Sequence, residues 1–212
     1  MLMMIDVFPA GPVETNAYIL ACSDTKKAWI IDAPKGCADE LIAEINLEGL
    51  SVEKIVLTHS HWDHIADLAE LKKKFGCPVV VHREDAGNVE IPGSDGLSLY
   101  FPIEGVVPDQ ILEGNETLAL GNMEIKVIHT PGHSPGCICL YIPEEKALIS
   151  GDTLFRGCMG RVDLPTSQPS QMWESLLDLS KLPGDTKVYP GHGGATSIGA
   201  ESWMKDAEKR FS

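Results

Sequence analysis

The succession of apolar runs along the chain predicts an αββα sandwich, that is, an α/β fold of two mixed β-sheets packed together and flanked by helices. Three strand-like apolar runs, at residues 3–8, 17–22 and 28–32, precede a helical pattern at residues 36–47. A second series of strand-like runs follows and is again succeeded by helical patterns. Two similar halves of this kind are typical of sheets that bury one face against each other and cover the opposite face with helices.

Two further strands and a helix complete the predicted first half. Residues 54–57 and 79–81 are short runs rich in β-branched residues, which are typical of buried strands. Between them, apolar residues recur at helical spacing from Ile65 to Phe75. Residues 85–107 are rich in Gly and Pro and show no clear period, so we expect an irregular surface loop that borders a pocket.

The second half contains five predicted strands and two predicted helices. The strands cover residues 116–120, 123–128, 137–142, 147–150 and 187–189. Gly121-Asn122, between the first two, predicts a tight hairpin turn. Helical periodicity covers residues 170–179 and 197–211, and the second segment is amphipathic. Because the 212 residues contain no linker or repeat, we expect one domain, residues 1–212.

Composition and charge limit the classes of function. The net charge of −14 argues against a nucleic-acid partner, which would need a basic surface for its phosphates. No apolar run approaches the roughly 20 residues that span a bilayer, so we expect no membrane partner. Residues 1–7 lack the basic region and cleavage pattern of a signal peptide, which favours a cytoplasmic location.

Six cysteines are scattered along the chain. Without a secretory signal we expect reduced thiols, and we expect the five outside a later glycine-rich segment to be buried as packing residues. These five are Cys22, Cys37, Cys77, Cys137 and Cys139. Cys158 lies within the glycine-rich segment, and the sequence leaves open whether it is buried or close to a metal site.

The segment Thr58–His64 carries the densest group of metal-ligand side chains. Its members, within six residues directly after a predicted strand, are His59, His61, Asp63 and His64. In an extended segment residues i and i+2 point to the same side, so His59 and His61 face one cation. Asp63 and His64 lie past the bend and face a second position beside the first. Imidazole and carboxylate together suit zinc, iron or manganese, and the sequence therefore predicts a metal site.

Three later segments share one arrangement, in which a His or Asp follows an apolar strand beside glycine. They are residues 129–133 (HTPGH), 150–153 (SGDT) and 190–193 (PGHG). Glycine allows the backbone to approach closely or to adopt a positive φ angle, which places a side chain at the rim of a sheet. We therefore expect these segments to contribute to one site.

The H-x-H-x-D-H motif at residues 59–64 and the three later segments together resemble the metallo-β-lactamase superfamily. The resemblance covers nearly the whole chain, and the segments occur in the order that the family signature requires. Within the superfamily the chain is most similar to short-form glyoxalase II-like hydrolases, which are hydroxyacylglutathione hydrolases. Only about one helix follows His192, so the separate helical domain that grips glutathione in full-length glyoxalase II is not expected.

The resemblance implies two divalent metal ions, with zinc as the first expectation and iron or manganese as alternatives. The ligands implied for the first ion are His59, His61 and His133. Those implied for the second ion are Asp63, His64 and His192. Asp152 would bridge the two ions beside a shared water or hydroxide, and Asp63 and Asp152 are the residues expected to act in catalysis.

The activity that the resemblance implies is hydrolysis of a small-molecule thioester by a metal-bridging hydroxide. Two neighbouring cations lower the pKa of a bridging water and polarise a substrate carbonyl. A thioester suits such a site because its thiolate, with a reference pKa of roughly 8.5, leaves without strong help from an acid. True β-lactamases of the superfamily lack an aspartate at the bridging position, which argues against β-lactam hydrolysis.

An alternative within the same superfamily is a mononuclear iron persulfide dioxygenase. Its two histidines and one carboxylate would correspond to His59, His133 and Asp152, a facial triad with open positions. The other ligand-like residues would then hold no metal. A third possibility, a domain that binds a metal or a partner without catalysis, is disfavoured because every residue that the hydrolytic chemistry needs is present.

Two further residues have open roles. Arg161 lies in the glycine-rich segment, residues 155–165, which resembles the loop after the bridging aspartate in glyoxalase II-like proteins and persulfide dioxygenases. Its guanidinium would either bind a carboxylate of an anionic thiol carrier or pair with Asp163. Asp32 ends a buried strand and would either cap a turn or hold a ligand histidine, and the resemblance favours the second role.

Overall fold

Two six-stranded β-sheets lie face to face in the computed structural model, which describes residues 3–211. Met1, Leu2 and Ser212, which the expected domain includes, lie outside the described residues. Both sheets are mixed, and helices pack on their outer faces. The αββα sandwich predicted from the sequence is therefore confirmed.

The first sheet is built from the first half of the chain. Its strands are β1 (Met3–Ala10), β2 (Thr15–Cys22), β3 (Lys27–Ile31), β4 (Ser51–Val56), β5 (Val79–His82) and β6 (Gln110–Leu112). They lie side by side in sequence order, with β1 to β3 antiparallel and β3 to β6 parallel. The carboxyl ends of the parallel strands therefore meet at one edge of the sheet, where ligands commonly bind in open α/β sheets.

The second sheet is built from the second half. Its strands are β7 (Thr117–Leu120), β8 (Met123–His129), β9 (Ile138–Ile142), β10 (Ala147–Gly151), β11 (Lys187–Pro190) and β12 (Thr196–Ser197). Their order is also sequential, and only the β10–β11 pair is parallel among the described pairings. The predicted hairpin is confirmed, since β7 and β8 pair on either side of Gly121-Asn122. The short strands β6 and β12 have no signal in the apolar pattern.

Helices connect the strands and cover the sheets. They are α1 (Ala38–Glu48), α2 (Trp62–Ile65), α3 (Leu68–Phe75), α4 (Arg83–Glu90), α5 (Pro169–Leu179), a 3-10 helix (Ile198–Asp206) and α6 (Ala207–Phe211). The glycine that follows α1, Gly49, has a left-handed φ of 62° and ends the helix. Over residues 3–211, no helix combines the length and the apolar character needed to cross a membrane.

Apolar side chains of the described residues form three layers. The central layer lies between the sheets and includes Leu20 and Trp29 of the first sheet and Ile125 and Leu140 of the second. A second layer packs α1 and α3 against the first sheet. A third packs α5 and the C-terminal helices against the second sheet. Because both faces of strand β9 are covered, its apolar run shows no alternation with polar residues.

The prediction of an irregular loop at residues 85–107 is wrong for its first residues, which belong to helix α4. His82 caps this helix, because its Nδ1 accepts a hydrogen bond from the Glu84 amide (3.3 Å). The side chains that α4 turns inward are largely polar, since Asp85 and Asn88 are both buried. The apolar period from which a helix is predicted is therefore missing from this segment.

The single helix expected from residues 65 to 75 is divided into α2 and α3. Asp67 lies at the break, with a non-helical ψ of 12°. Its buried carboxylate accepts hydrogen bonds from the Lys35 ammonium (2.8 Å) and the Gly36 amide (2.6 Å). These bonds tie the start of α3 to the turn before α1 and account for the interruption.

The C-terminal segment, expected to be one amphipathic helix, is instead a 3-10 helix followed by α6. Glu201 departs from helical geometry, with φ −100° and ψ 44°. Its carboxylate accepts hydrogen bonds from the Trp203 indole (2.6 Å), the Thr196 hydroxyl (2.5 Å) and the Gly157 amide (2.8 Å). A buried carboxylate with three donors thus interrupts the helix and anchors the glycine-rich segment.

The five cysteines expected to be packing residues are buried and unpaired, and all lie within residues 3–211. That prediction is confirmed. Cys158 is exposed on the glycine-rich segment, so of the alternatives left open by the sequence, a buried thiol is wrong.

The central layer gives a direct test of the packing. Leu20 is fully buried between the sheets, whereas Leu47 on α1 is 78% exposed. We expect Leu20→Ala to lower the free energy of unfolding by about 2–5 kcal/mol, because it removes apolar contacts and leaves a cavity. Leu47→Ala should change it by less than about 0.5 kcal/mol. Denaturant unfolding of the two variants measures both values, and equal losses would contradict the layer assignment.

Candidate metal centre

Four loops carry the predicted ligands to one place, and each follows the carboxyl end of a strand. The motif Thr58–His64 follows β4, and His133 follows β8. Asp152 and His192 follow β10 and β11, which are parallel neighbours and so end at the same edge. The cluster therefore lies where the carboxyl ends of strands from both sheets approach each other.

The structure brings the seven predicted ligand residues together, and six of them form two groups of three. We define the first position by His59, His61 and His133. We define the second position by Asp63, His64 and His192. Within each group, one ligand atom from each residue lies within 4.8 Å of those of the others. This separation suits side chains that converge on one cation, so each group could hold one metal ion.

Asp152 lies between the two positions. Its Oδ2 is 3.4 Å from His133 Nε2 of the first position and 3.4 Å from His192 Nε2 of the second. Its Oδ1 is 3.4 Å from His64 Nε2. Each carboxylate oxygen therefore faces ligand nitrogens, as a bridging group requires.

The polar atoms of the cluster fit a bound cation. Four of its buried atoms have no hydrogen-bond partner within residues 3–211: Nε2 of His59, His61 and His64, and Oδ1 of Asp152. Native structures rarely leave such atoms unpaired, because each buried unsatisfied polar group costs free energy. Ligand atoms of His59, His64 and Asp152 also converge within 4.8 Å. Nitrogen and carboxylate oxygen are the donors that divalent zinc, iron and manganese accept.

Burial keeps His59 and His61 of the first position neutral. It lowers the pKa of His59 well below its ordinary value, and burial together with the neighbouring His133 lowers the pKa of His61 to about 3. Both imidazoles therefore carry a free lone pair at neutral pH. This is the protonation state that binds a metal ion.

The second position attracts positive charge. Burial opposes protonation of His64, but the carboxylates of Asp63, Asp152 and Asp32 raise the pKa of His64 well above its ordinary value. Burial is likewise outweighed at His192, where hydrogen bonds with Asp152 and Asp63 raise the pKa to about 9. A metal cation would replace these protons between the carboxylates.

The Asp32 side chain contacts the start of the motif and one predicted ligand histidine, His64. Its Oδ1 accepts a hydrogen bond from the Thr58 amide (2.8 Å), and its Oδ2 accepts one from the Thr58 hydroxyl (2.7 Å). The same Oδ2 lies 2.9 Å from His64 Nδ1, which fixes the ring with Nε2 towards the site. Asp32 itself has a φ of 61°, a left-handed conformation that few residues other than glycine adopt.

Asp85 is a supporting residue that the sequence analysis missed. Its buried carboxylate accepts hydrogen bonds from the Ser60 amide (2.7 Å), the Ser134 hydroxyl (2.9 Å) and the Gly136 amide (2.6 Å). It thus joins the loop of the H-x-H-x-D-H motif to the loop that carries His133. Asp85 lies in the stretch that was expected to be irregular, so nothing in its sequence context pointed to this role.

Gly151 and Gly191 show why glycine is needed beside the candidate ligand residues. Gly151 has a φ of 47°, and a Cβ atom there would lie 2.7 Å from the Thr58 side chain. A Cβ atom on Gly191 would lie 2.1 Å from Asp152 Oδ1. Close approach of the backbone at these positions is confirmed, and any larger residue would displace the bridging carboxylate or its loop.

A cavity of about 350 Å³ opens over the cluster. The apolar and aromatic side chains of its wall are Val13, Trp62, Leu97, Tyr100 and Leu164. The Trp62 and Tyr100 rings lie 4.8 Å apart and form one aromatic surface. Leu97 and Tyr100 belong to the loop after α4, so this part of the expected loop does border a pocket.

Arg161 also lines the cavity, but its guanidinium is paired within the chain. It donates two hydrogen bonds to the Asp163 carboxylate, each 2.9 Å long. The side chains are 69% and 70% exposed, and an ion pair in water at this exposure is weak. Of the two partners considered for Arg161, the structure shows Asp163. A substrate carboxylate would have to displace the Asp163 carboxylate from the guanidinium. The backbone carbonyl of Arg161 accepts a hydrogen bond from His133 Nδ1 (2.8 Å).

Comparison with known proteins agrees with this geometry. A family model described as the metallo-β-lactamase superfamily matches residues 10–192. Hydroxyacylglutathione hydrolase GloC of Haemophilus influenzae is 32% identical, over 94% of this chain and 95% of that protein. The crystal structure of BLEG-1 B3 metallo-β-lactamase has a TM-score of 0.86 and 38% identity, covering 93% of this chain and 96% of its own.

The crystal structure of TTHA1623 in a di-iron-bound form is also similar, with a TM-score of 0.80 and 35% identity. The match covers 93% of this chain and 96% of that one. The family match extends over most of the chain and includes every candidate ligand residue of both positions. The chain therefore belongs to the metallo-β-lactamase superfamily, and it is an enzyme of that superfamily with a candidate metal-binding cluster of histidines and aspartates.

Proposed function

We propose that the protein is a dinuclear metal-dependent thioester hydrolase of the hydroxyacylglutathione hydrolase type. The observation that carries the proposal is the position of Asp152, whose two carboxylate oxygens face ligand nitrogens of both positions at 3.4 Å. A carboxylate placed in this way serves two cations rather than one. The likeness to GloC, a hydroxyacylglutathione hydrolase, supports the same reaction class.

Two divalent cations at these positions would activate water at neutral pH and polarise a substrate carbonyl. Zinc is the expected ion, and the likeness to a protein crystallised with two irons keeps iron as the alternative. The two groups of ligand residues would hold the cations, and Asp152 would be shared between them. Asp32 and Asp85 keep the ligand loops in place through hydrogen bonds to groups that do not face the cavity.

The ionised state of Asp63 favours a thioester substrate over an amide substrate. Burial opposes ionisation of Asp63, but His64 and hydrogen bonds from His192 and Thr15 lower its pKa to about 2. Asp63 therefore stays ionised at neutral pH and donates no proton to a leaving group. A thiolate leaves without one, since the reference pKa of a thiol is roughly 8.5. An amide nitrogen has to be protonated as it departs.

The cavity wall offers a substrate two kinds of contact, one apolar and one charged. Val13, Leu97, Leu164 and the aromatic surface offer apolar contact to the acyl or carrier chain. Arg161 is the one arginine among the described residues that line this cavity, and no lysine lines it. An anionic carrier would therefore be recognised at Arg161, and a neutral carrier would rely on apolar contact alone.

A second candidate, β-lactam hydrolysis, follows from the likeness to BLEG-1 B3 metallo-β-lactamase. The bridging aspartate and the lack of a proton donor in Asp63 favour the thioester. Persulfide dioxygenation at a single iron held by His59, His133 and Asp152 remains the alternative from the same superfamily. The three reactions have separate readouts, namely thiol release, loss of β-lactam absorbance and oxygen uptake.

Metal-loaded protein should hydrolyse thioesters faster than it opens β-lactams or takes up oxygen with a persulfide. The assay compares a glutathione thioester of a 2-hydroxy acid, a thioester of neutral N-acetylcysteamine, a β-lactam and glutathione persulfide. Asp152→Asn should abolish thioester turnover and lower the metal content, because both cations lose charge from a shared ligand. Asp185→Asn, at an exposed aspartate paired with Lys146, is the matched control and should leave both unchanged.

Either competing activity in excess of thioester hydrolysis would overturn the proposed reaction. Full metal content and normal turnover in Asp152→Asn would overturn the bridging role.

The role of Arg161 predicts a difference between charged and neutral substrates. If its guanidinium leaves Asp163 to bind a carrier carboxylate, Arg161→Ala should raise KM for the glutathione thioester by about ten- to a hundredfold. The N-acetylcysteamine thioester has no carboxylate, so its KM should stay within about twofold. Arg156→Ala is the control on the same loop, because the Arg156 guanidinium donates to the Ala195 carbonyl. Equal effects of Arg161→Ala on both substrates would mean that Arg161 shapes the loop instead.

A further inference from the structure

The segment Val13–Asn16 covers the end of the β1–β2 connection and the start of β2. It contacts Asp63 and His192, the two ligand residues that belong to the second position alone. The Thr15 hydroxyl donates a hydrogen bond to Asp63 Oδ2 at 2.6 Å. His192 Nδ1 donates to the Val13 carbonyl at 3.1 Å, which directs Nε2 of the same ring into the cluster. This segment lies more than 40 residues before the H-x-H-x-D-H motif and contains none of the predicted ligands.

Thr15 contacts the oxygen of Asp63 that faces the site. Asp63 Oδ2 lies 3.3 Å from His192 Nε2 and 3.4 Å from His64 Nε2, so it is the oxygen that completes the second position. An ionised carboxylate only accepts hydrogen bonds, which makes the Thr15 hydroxyl the donor. Thr15 is fully buried, so water does not offer a substitute donor at this point. The hydroxyl thus fixes both the rotamer and the charge distribution of this carboxylate.

The next residue fixes the loop that carries His192. The Asn16 amide donates to the Gly191 carbonyl at 2.7 Å, and its side-chain amide donates to the carbonyls of Pro190 and Gly193 at 2.9 Å each. Thr15 and His192 also form a bridge of β type. The end of the β1–β2 connection is therefore joined to both sides of the second position.

The first position has different supports. The His133 ring donates to the Arg161 carbonyl, and the loops of His61 and His133 are joined through Asp85. Among the described residues, neither the Thr15 nor the Asn16 side chain forms a hydrogen bond to a first-position ligand. Thr15 and Asn16 therefore support the second position without contacting the first. Asp32 is a shared support, because it contacts His64 of the second position and, through the Thr58 hydroxyl, His59 of the first.

We propose that Thr15 is a positioning residue that sets metal occupancy of the second position independently of the first. The inference rests on the dinuclear site proposed above. Outer partners that orient a metal ligand change metal affinity by about 10–100-fold when they are removed. Loss of the Thr15 hydroxyl should therefore weaken binding of the metal ion at the second position and leave binding at the first position unchanged.

The test is the substitution Thr15→Val, which keeps the shape of the side chain and removes the hydroxyl. Zinc-loaded protein is dialysed against a graded series of chelator concentrations, and zinc per chain is measured at each step. The cobalt-loaded form is followed by its visible spectrum as an independent readout. We expect Thr15→Val to lose its second equivalent at about ten- to a hundredfold lower chelator concentration than wild type, with the first equivalent unchanged.

Two further variants separate positioning from folding. Thr15→Ser retains the hydroxyl and should restore wild-type retention of the second equivalent. Thr117→Val, at an exposed threonine of β7, is the matched control and should behave as wild type. Thermal unfolding of the metal-free variants shows whether they fold, and Thr15→Ala replaces Thr15→Val if the latter does not.

Each outcome decides the proposal. Selective loss of the second equivalent in Thr15→Val, with rescue by Thr15→Ser, supports it. Simultaneous weakening of both equivalents, or wild-type retention, overturns it while the dinuclear site of the wild type stands. A wild-type protein that never holds a second equivalent overturns both this inference and the proposed function.

Discussion

The structure depends on holding buried charge together at one edge of two packed sheets. Asp152 is 6% exposed, and within residues 3–211 its Oδ1 has no hydrogen-bond partner. An isolated buried carboxylate is unstable unless a counter-charge compensates it. The imidazoles around it supply nitrogen lone pairs in the first position and positive charge in the second. Cations would replace the protons of the second position and pair with the free nitrogens of the first, so the cluster indicates a candidate metal centre rather than a hydrogen-bonded core.

The surrounding fold supports this centre mainly through carboxylates and backbone carbonyls. Asp32 holds His64 and the start of the motif, while Asp85 joins the motif to the loop of His133. The connection between β1 and β2 reaches across to Asp63 and His192. Asp32 and Asp85 contact a ligand or its loop from the side away from the cavity, whereas Thr15 contacts the Asp63 oxygen that faces the site. Outer contacts of this kind fix ring orientation and tautomer, and they tune metal affinity.

The sequence predicts the ligands and the two-sheet fold because both leave local signals. The histidines of the motif lie at fixed spacing after a strand, and Gly151 and Gly191 mark the close approach that Asp152 requires. The outer supports leave no such signal, because Thr15 and Asp85 acquire their roles only when distant segments pack together. Helix α4 was not predicted because its buried face is largely polar and lacks an apolar period. The pairing of Arg161 with Asp163 was one of two alternatives, and only the structure shows which is formed.

Metal content is the most direct test of the central claim, that one chain holds two cations bridged by Asp152. Wild-type protein and His192→Ala are loaded with excess zinc, separated from free metal and measured for zinc per chain. His192 is a ligand of the second position alone, so the account predicts two equivalents in wild type and one in the variant. It also predicts that thioester hydrolysis falls together with the lost equivalent. One equivalent in both proteins, or a one-metal variant with full thioester hydrolysis, would contradict the two-metal account.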